Sequence, residues 1–126
     1  MNLIEKINSK DYLPEEIKKF KMSLMLNKCN CFNNLKDYPE TVKLSKEIIK
    51  ENDKTLKAYY YLGTALAYLD EFEEAMNSYN KLYELIEDKK DPGVTNLLEL
   101  INNRKKEKEN NIRKKYKAYF AQKEKD

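Results

Sequence analysis

Two stretches of the sequence match each other at a fixed distance of 34 residues. Residues 35–42 (LKDYPETV) align with residues 69–76 (LDEFEEAM). The same offset relates further pairs of positions: Met25 with Tyr59, Cys29 with Gly63, Phe32 with Leu66, and Ile48 with Leu82. A unit this short cannot bury its apolar residues alone, so successive units must stack on one another to form a core. The chain is therefore expected to be an array of similar units.

Composition and apolar spacing together predict that each unit is helical. The 126 residues include two glycines and three prolines, too few for the many turns of a sheet protein. We expect an all-α chain whose helices lie at about 14–34, 39–52, 55–69, 72–87 and 94–122. Asp37 and Asp70 are the expected N-caps of the second helix in each unit.

Landmark residues in the second unit resemble a known family. They are Tyr59-x-x-Leu62-Gly63 in its first helix and Phe72 followed by Ala75-x-x-x-Tyr79 in its second. Together with the 34-residue period, this pattern resembles the tetratricopeptide repeat. The resemblance implies antiparallel helix pairs in a right-handed superhelix with one concave face. The first unit departs from the family pattern at Thr41 and Ser45.

This interpretation divides the chain into three parts. Residues 1–12 are interpreted as the end of a helix from a truncated earlier repeat, and a local N-terminal cap is the alternative. Residues 13–91 hold the two tetratricopeptide repeats. Residues 92–126 are expected to form a long C-terminal capping helix, because an apolar stripe in its first turns can cover the last repeat and a basic aromatic tail follows.

The end of this long helix carries a second apolar face. Residues 102–111 contain no apolar side chain and are expected to project into solvent, after which apolar residues return at helical spacing: Ile112, Tyr116, Tyr119 and Phe120. Residues 103–126 hold ten Lys or Arg against four Asp or Glu, so the surroundings are basic. Three interpretations stay open: contact with a partner protein or a second copy of the chain (a homo-oligomer), a target for a calmodulin-like partner, and a solvated tail.

Catalysis and metal binding are not expected. The chain has no histidine, no glycine-rich phosphate loop and no ligand cluster, so we expect no enzyme activity and no cofactor or metal. Cys29 and Cys31 are expected to be unpaired thiols of a reducing compartment. No apolar run approaches the roughly 20 residues of a membrane span. The expectation is a cytoplasmic protein that binds other proteins and neither nucleic acid nor membranes.

Three short runs point to one branch of the repeat family. Residues 26–32 (LNKCNCF), 57–59 (KAY) and 114–120 (KKYKAYF) resemble the C-terminal module of the large FK506-binding immunophilins and of the aryl-hydrocarbon-receptor-interacting protein. The resemblance implies a co-chaperone-like adaptor whose concave groove is a carboxylate clamp. Such a clamp binds the acidic C-terminal Glu-Glu-Val-Asp tails of heat-shock chaperones.

Only some of the clamp residues of that family have counterparts in this chain. Asn27 matches the asparagine of the family's second repeat and Lys57 the lysine of its third, whereas Tyr61 stands where the family has arginine. The lysine and asparagine of the first repeat have no counterpart. Because tyrosine donates one neutral hydrogen bond, we expect weakened or altered binding of chaperone tails in a groove formed by these three residues. The alternative function is a structural or assembly module that acts through the apolar face near the end of the last helix.

Overall fold

The computed structural model describes residues 14–125, and this part of the chain is all-helical. Its elements are α1 (Pro14–Asn34), α2 (Tyr38–Glu51), α3 (Leu56–Tyr68), α4 (Phe72–Leu85) and α5 (Pro92–Lys125). The predicted all-α class is confirmed, and the bounds of the first four predicted helices agree with the structure to within two residues. The end of an earlier helix that was predicted for residues 1–12 lies outside the described residues.

Alternate helices form two layers. Each helix packs against the next one along the chain, and α3 also packs against both α1 and α5. Within the described range, α2 and α4 make no backbone contact with each other. Helices α1, α3 and α5 therefore lie side by side as a three-helix layer, and α2 and α4 form an outer layer over it.

The α1–α2 and α3–α4 turns have the same backbone geometry. Lys36 and Asp70, 34 residues apart, both adopt the left-handed conformation, with φ angles of 61° and 62°. In each turn the next backbone N–H donates to a carbonyl five residues back: Asp37 to Phe32 at 2.8 Å, and Glu71 to Leu66 at 2.9 Å. This pattern is the Schellman C-cap, which satisfies carbonyl groups that a helix end leaves open.

One of the two predicted N-caps is wrong. Asp37 occupies the N-cap position of α2 as predicted, although its side chain makes no capping hydrogen bond. The N-cap of α4 is Glu71, because Glu71 and not Asp70 corresponds to Asp37 at the 34-residue offset. Asp70 holds the left-handed position before the cap, and its carboxylate pairs with Arg104 of α5.

The larger of two apolar cores joins α3, α4 and α5. Its buried members come from all three helices: Tyr59, Leu62, Leu66, Ala67, Ala75, Leu82, Val94, Leu97 and Ile101. The first turns of α5 thus cover α3 and α4, as the apolar stripe predicted. Gly63 lies at the α3–α5 contact, where a β-carbon would stand 3.0 Å from Leu97 Cδ2 and 3.5 Å from Ser78 Cβ. A β-carbon at this position would require the Leu97 side chain to shift by a few tenths of an ångström.

The smaller core joins α1, α2 and α3 through Cys29, Ile48 and Ala58. Thr41 and Ser45, where the first unit departs from the repeat pattern, are both buried in α2. Their hydroxyl groups donate to the backbone of the preceding turn: Ser45 Oγ to the Thr41 carbonyl at 2.6 Å, and Thr41 Oγ1 to the Asp37 carbonyl at 3.4 Å. Because these bonds satisfy the buried hydroxyls, the departures are accommodated at little cost.

Candidate protein-interaction surfaces

Lys57 and Tyr61 share one face of α3. They are four residues apart, which places their side chains on the same side of the helix. Lys57 is exposed in the first turn, whereas Tyr61 is half-buried and packs against the smaller core. The Tyr61 backbone carbonyl accepts a hydrogen bond from Asn33 Nδ2 of α1 at 3.3 Å. Tyr61 therefore sits at the contact between α1 and α3.

Burial determines what the Tyr61 hydroxyl can offer a ligand. Desolvation, with smaller contributions from Cys29 and Tyr60, raises the pKa of Tyr61 above its ordinary value of 10.0. The hydroxyl stays neutral at physiological pH and provides one donor, where a guanidinium would provide five N–H donors and a full positive charge. The Tyr60 and Tyr61 rings meet edge-on with centroids 5.8 Å apart. This position therefore presents aromatic surface and no cation.

Asn27 is exposed on α1, one 34-residue unit before Tyr61. Because α1 and α3 are neighbours in the three-helix layer, Asn27 and Lys57 lie on adjacent helices. The structure thus brings Lys57 and Tyr61 onto one helix face and puts Asn27 on the helix beside it. We refer to these three residues as the groove residues.

A depression of about 950 Å³ lies elsewhere, between the first half of α1 and the end of α2. Most of its lining residues are charged: Lys18, Lys19, Lys21, Lys50, Glu47 and Glu51. None of the groove residues lines it. The predicted groove and this depression are therefore different surfaces.

The four predicted tail residues form one exposed apolar face on α5, which we call the tail face. The exposed fractions are 45% for Ile112, 62% for Tyr116, 54% for Tyr119 and 57% for Phe120. The Tyr116 and Phe120 rings stack with centroids 6.4 Å apart, and Tyr119 meets Phe120 edge-on at 5.5 Å. The structure brings the four residues together and covers none of them, and what binds this face stays a prediction.

Arg104 attaches α5 to the end of α3, a contact that the sequence analysis did not predict. Its Nε donates to the Ala67 carbonyl at 2.9 Å and its Nη2 to the Tyr68 carbonyl at 3.5 Å, so it caps the C-terminus of α3. The guanidinium also lies over the Tyr68 ring, 4.7 Å from the centroid. Tyr68 in turn stacks on Tyr38 with centroids 4.8 Å apart and 5° between the planes. This stack ties α5, α3 and α2 together.

Asp70 completes the attachment of α5. Its carboxylate lies 3.3 Å from Arg104 Nη2 and 3.8 Å from Lys108 Nζ. The residues from 102 to 111 are exposed as expected except Arg104, which is half-buried, and helix α5 keeps contact with the other helices as far as Lys108. A signal was present, because Arg104 and Lys108 continue the three-and-four spacing of the buried stripe: Val94, Leu97 and Ile101.

The two cysteines differ in burial and hence in reactivity. Both are free thiols, but Cys29 is buried and Cys31 is exposed. Burial raises the pKa of the Cys29 thiol from 9.0 to about 11. Because the thiolate is the reactive form, Cys31 should be the thiol that reacts at neutral pH.

We expect maleimide to label one cysteine of the folded chain, Cys31, and to label Cys29 only after denaturation. The unfolded chain loses the Cys29 proton at a lower pH than the folded chain, so stability should fall between pH 9 and pH 11. Urea titrations across that range measure the slope, which a Cys29→Ala variant should reduce. Rapid labelling of both thiols in the folded state would contradict the assigned burial.

Neither a metal cluster nor a membrane-spanning helix is found among residues 14–125. No group of three or more Cys, Asp or Glu side chains in that range could hold a metal ion. Likewise, none of the described helices is long and apolar enough to cross a membrane. No model of a known protein family matches the chain. Proposals about its function therefore rest on its two surfaces, the groove residues of α1 and α3 and the tail face of α5.

Proposed function

We propose that the chain is a protein-binding scaffold of the tetratricopeptide-repeat type, whose three-helix layer binds a short acidic C-terminal peptide. The observation that carries the proposal is the matching geometry of the α1–α2 and α3–α4 turns at an offset of 34 residues. The two-layer packing supports it, because one helix of each unit then presents its side chains to a ligand. A binding role fits a chain without histidine better than a catalytic role does.

The chemistry of α3 favours an anionic ligand. The exposed Lys57 ammonium lies in the first turn of the helix, where the backbone N–H groups and the helix dipole also favour negative charge. Thr55, the N-cap, makes no side-chain capping bond; the Ala58 N–H donates to the Thr55 carbonyl at 3.1 Å, so the N–H groups of Leu56 and Lys57 keep their capacity for a ligand. The exposed amide of Asn27 adds a donor on the neighbouring helix. A terminal carboxylate can accept charge-assisted hydrogen bonds from such groups.

Tyr61 supports altered selectivity within this class of ligand. Its neutral, half-buried ring replaces the arginine of the family that the chain resembles, so one ion pair to the peptide is lost. The aromatic surface of Tyr60 and Tyr61 suits an apolar side chain next to the peptide's terminal carboxylate. The preferred ligand is therefore an acidic tail with an apolar residue, such as one ending in Glu-Glu-Val-Asp, as in co-chaperone adaptors.

Replacing Lys57 with glutamate should weaken binding of a labelled Glu-Glu-Val-Asp peptide by at least about tenfold. A charge-assisted hydrogen bond contributes about 1.5–3 kcal/mol, and the glutamate replaces it with repulsion. Fluorescence anisotropy measures the dissociation constant. The matched control is Lys43→Glu on the outer layer, which makes the same charge change at another exposed lysine and should leave binding unchanged.

Two further measurements test the same site. Amidation of the peptide C-terminus removes the carboxylate and should reduce binding, and added salt should weaken the ion pair through screening. Equal losses for Lys57→Glu and Lys43→Glu would show that only the net charge of the chain matters, which would remove the support for a groove.

The exposed tail face favours a second candidate function, a structural module that assembles with another protein molecule. Its four large apolar side chains are each 45–62% exposed, and all lie within three turns of one helix. Adjacent apolar residues on one exposed helix face mark an interaction site more often than scattered ones do. This function does not depend on the groove residues.

A further inference from the structure

The last part of α5 projects from the rest of the molecule. Lys108 makes the last described contact with another helix element, through Asp70 and the Phe72 ring. Every described side chain from Lys105 to Glu124 is exposed. The helix continues to Lys125, 17 residues beyond Lys108, which corresponds to a projection of about 25 Å. We refer to residues 109–125 as the tail.

The order of residues along one face of the tail is symmetric about Tyr116. Five residues on this side of the tail lie at successive spacings of three, four, four and three: Glu109, Ile112, Tyr116, Phe120 and Lys123. Tyr119, the remaining residue of the tail face, lies beside them and has Arg113 as its counterpart on the other side of Tyr116. The sequence of chemistries is acid, apolar, tyrosine, apolar, base.

We propose that the tail face binds the tail of a second copy of this chain, with the two helices antiparallel and Tyr116 at the two-fold axis. In this register each residue faces the residue equally far on the other side of Tyr116. Ile112 then lies opposite Phe120 of the second copy, and Glu109 opposite Lys123 of the second copy. The symmetric spacing makes the face self-complementary, as an interface between identical copies requires.

Charge at the two ends of the tail supports the antiparallel arrangement. The tail as a whole is basic, with six Lys or Arg against two Glu among residues 109–125, whereas the turn where it leaves the other helices is acidic, with Glu71 at the N-cap of α4 and Glu73 and Glu74 in its first turn. Antiparallel pairing brings the far end of each tail back to the level of Lys108, beside this acidic edge of the other copy. Parallel pairing would place Glu109 against Glu109 and Lys123 against Lys123, so it is disfavoured.

The first test is the mass of the full chain as a function of concentration, measured by sedimentation. The mass should rise from that of one copy to that of two. Tyr116→Lys places two ammonium groups together at the axis and should raise the dissociation constant of the dimer at least about tenfold. Ala118→Lys adds the same charge on the opposite side of the helix and should leave the dimer intact. Both sites are exposed, so circular dichroism should show equal folding of the two variants.

The second test distinguishes the register, with cysteine variants made in a Cys31→Ser background so that the buried Cys29 is the remaining native thiol. Tyr116→Cys should form a disulfide-linked dimer on oxidation. Ile112→Cys should do so only when it is mixed with Phe120→Cys.

If the chain stays monomeric at all concentrations, the proposal is overturned. A different protein would then be the remaining candidate for binding the tail face. If Ile112→Cys alone cross-links as completely as Tyr116→Cys, the two helices are parallel. This result would also overturn the proposal. This inference goes beyond the peptide groove, so Lys57→Glu should leave the mass unchanged. Tyr116→Lys should likewise leave peptide binding unchanged, and failure of either idea can be recognised separately.

Discussion

Replacing Leu97 with alanine is expected to lower the free energy of unfolding by about 3 kcal/mol. Leu97 is 1% exposed and belongs to the larger core between α3, α4 and α5. Its Cδ2 and Cδ1 carbons lie 3.0 and 3.3 Å from where a β-carbon on Gly63 would stand, so the leucine fills the space that the glycine leaves. Truncation loses the burial of these carbons and leaves a cavity that three packed helices can close only by moving.

Denaturant unfolding followed by circular dichroism measures the loss. Leu35→Ala, which makes the same chemical change at a side chain that is 76% exposed, should alter the free energy of unfolding by less than about 0.5 kcal/mol. Adding Gly63→Ala to the Leu97→Ala variant should recover part of the loss, because the new methyl group enters the vacated space. Similar losses for Leu97→Ala and Leu35→Ala would contradict the packing described for α5.

The helices could be predicted because their signals are local in the sequence. Apolar residues at a spacing of three and four mark the buried face of each helix, and the proline of Asp91-Pro92-Gly93 is the first residue of α5. These signals come from residues whose effect on the backbone does not depend on distant parts of the chain.

The turns and the anchoring of α5 were not predictable in the same way. Lys36 and Asp70 adopt positive φ although neither is glycine or asparagine, the residues that do so at the lowest cost. The bond from Arg104 to Ala67 spans 37 residues, and it forms only because α5 packs on α3 at one particular position. Interactions of this kind depend on tertiary structure, so a local pattern of polar residues around Arg104 indicated solvent instead.

In the candidate site, too, some features could be predicted from local sequence and others depend on tertiary structure. The exposure of Asn27 and Lys57 follows from the apolar periodicity, which leaves their helix faces outside both cores. The run Tyr59-Tyr60-Tyr61 has no periodicity of its own, and the structure buries Tyr59 to 7% exposure while the next two rings are half-buried. The identity of a ligand leaves little trace in folding, because exposed side chains contribute little to stability. Binding experiments on the groove residues therefore add information that the fold does not contain.

Replacing Arg104 with alanine is expected to lower the free energy of unfolding by about 2 kcal/mol. The change removes the bonds to the Ala67 and Tyr68 carbonyls, the contact with the Tyr68 ring and the ion pair with Asp70. Hydrogen bonds to a charged group contribute about 1.5–3 kcal/mol, and the cation–π contact adds about 0.5–1 kcal/mol. The side chain of Arg104 is 30% exposed, so solvent screening reduces the sum.

Two variants separate these contributions. Arg113→Ala removes an arginine from the exposed tail and should change stability by less than about 0.5 kcal/mol. Arg104→Lys keeps the positive charge but loses the planar guanidinium, which bonds two carbonyl groups while it lies over the ring. We expect it to recover less than half of the loss. Full recovery by lysine would show that charge alone holds α5 at this position.

A local measurement can show that Arg104 fixes the point at which α5 leaves the other helices. Between Ile101, which is fully buried, and the exposed tail, the described contacts of α5 with the α3–α4 turn involve Arg104 and Lys108. Amide hydrogen exchange of residues 102–110 should therefore accelerate in Arg104→Ala, while exchange in the buried turn before Ile101 should change little. The part of α5 that projects from the other helices should then begin about one turn earlier in the sequence. In the variant Asp70 keeps only its ion pair with Lys108, which is half-exposed and 3.8 Å long and therefore contributes little. Equal acceleration along the whole of α5 would instead indicate that Arg104 stabilises the helix as a unit.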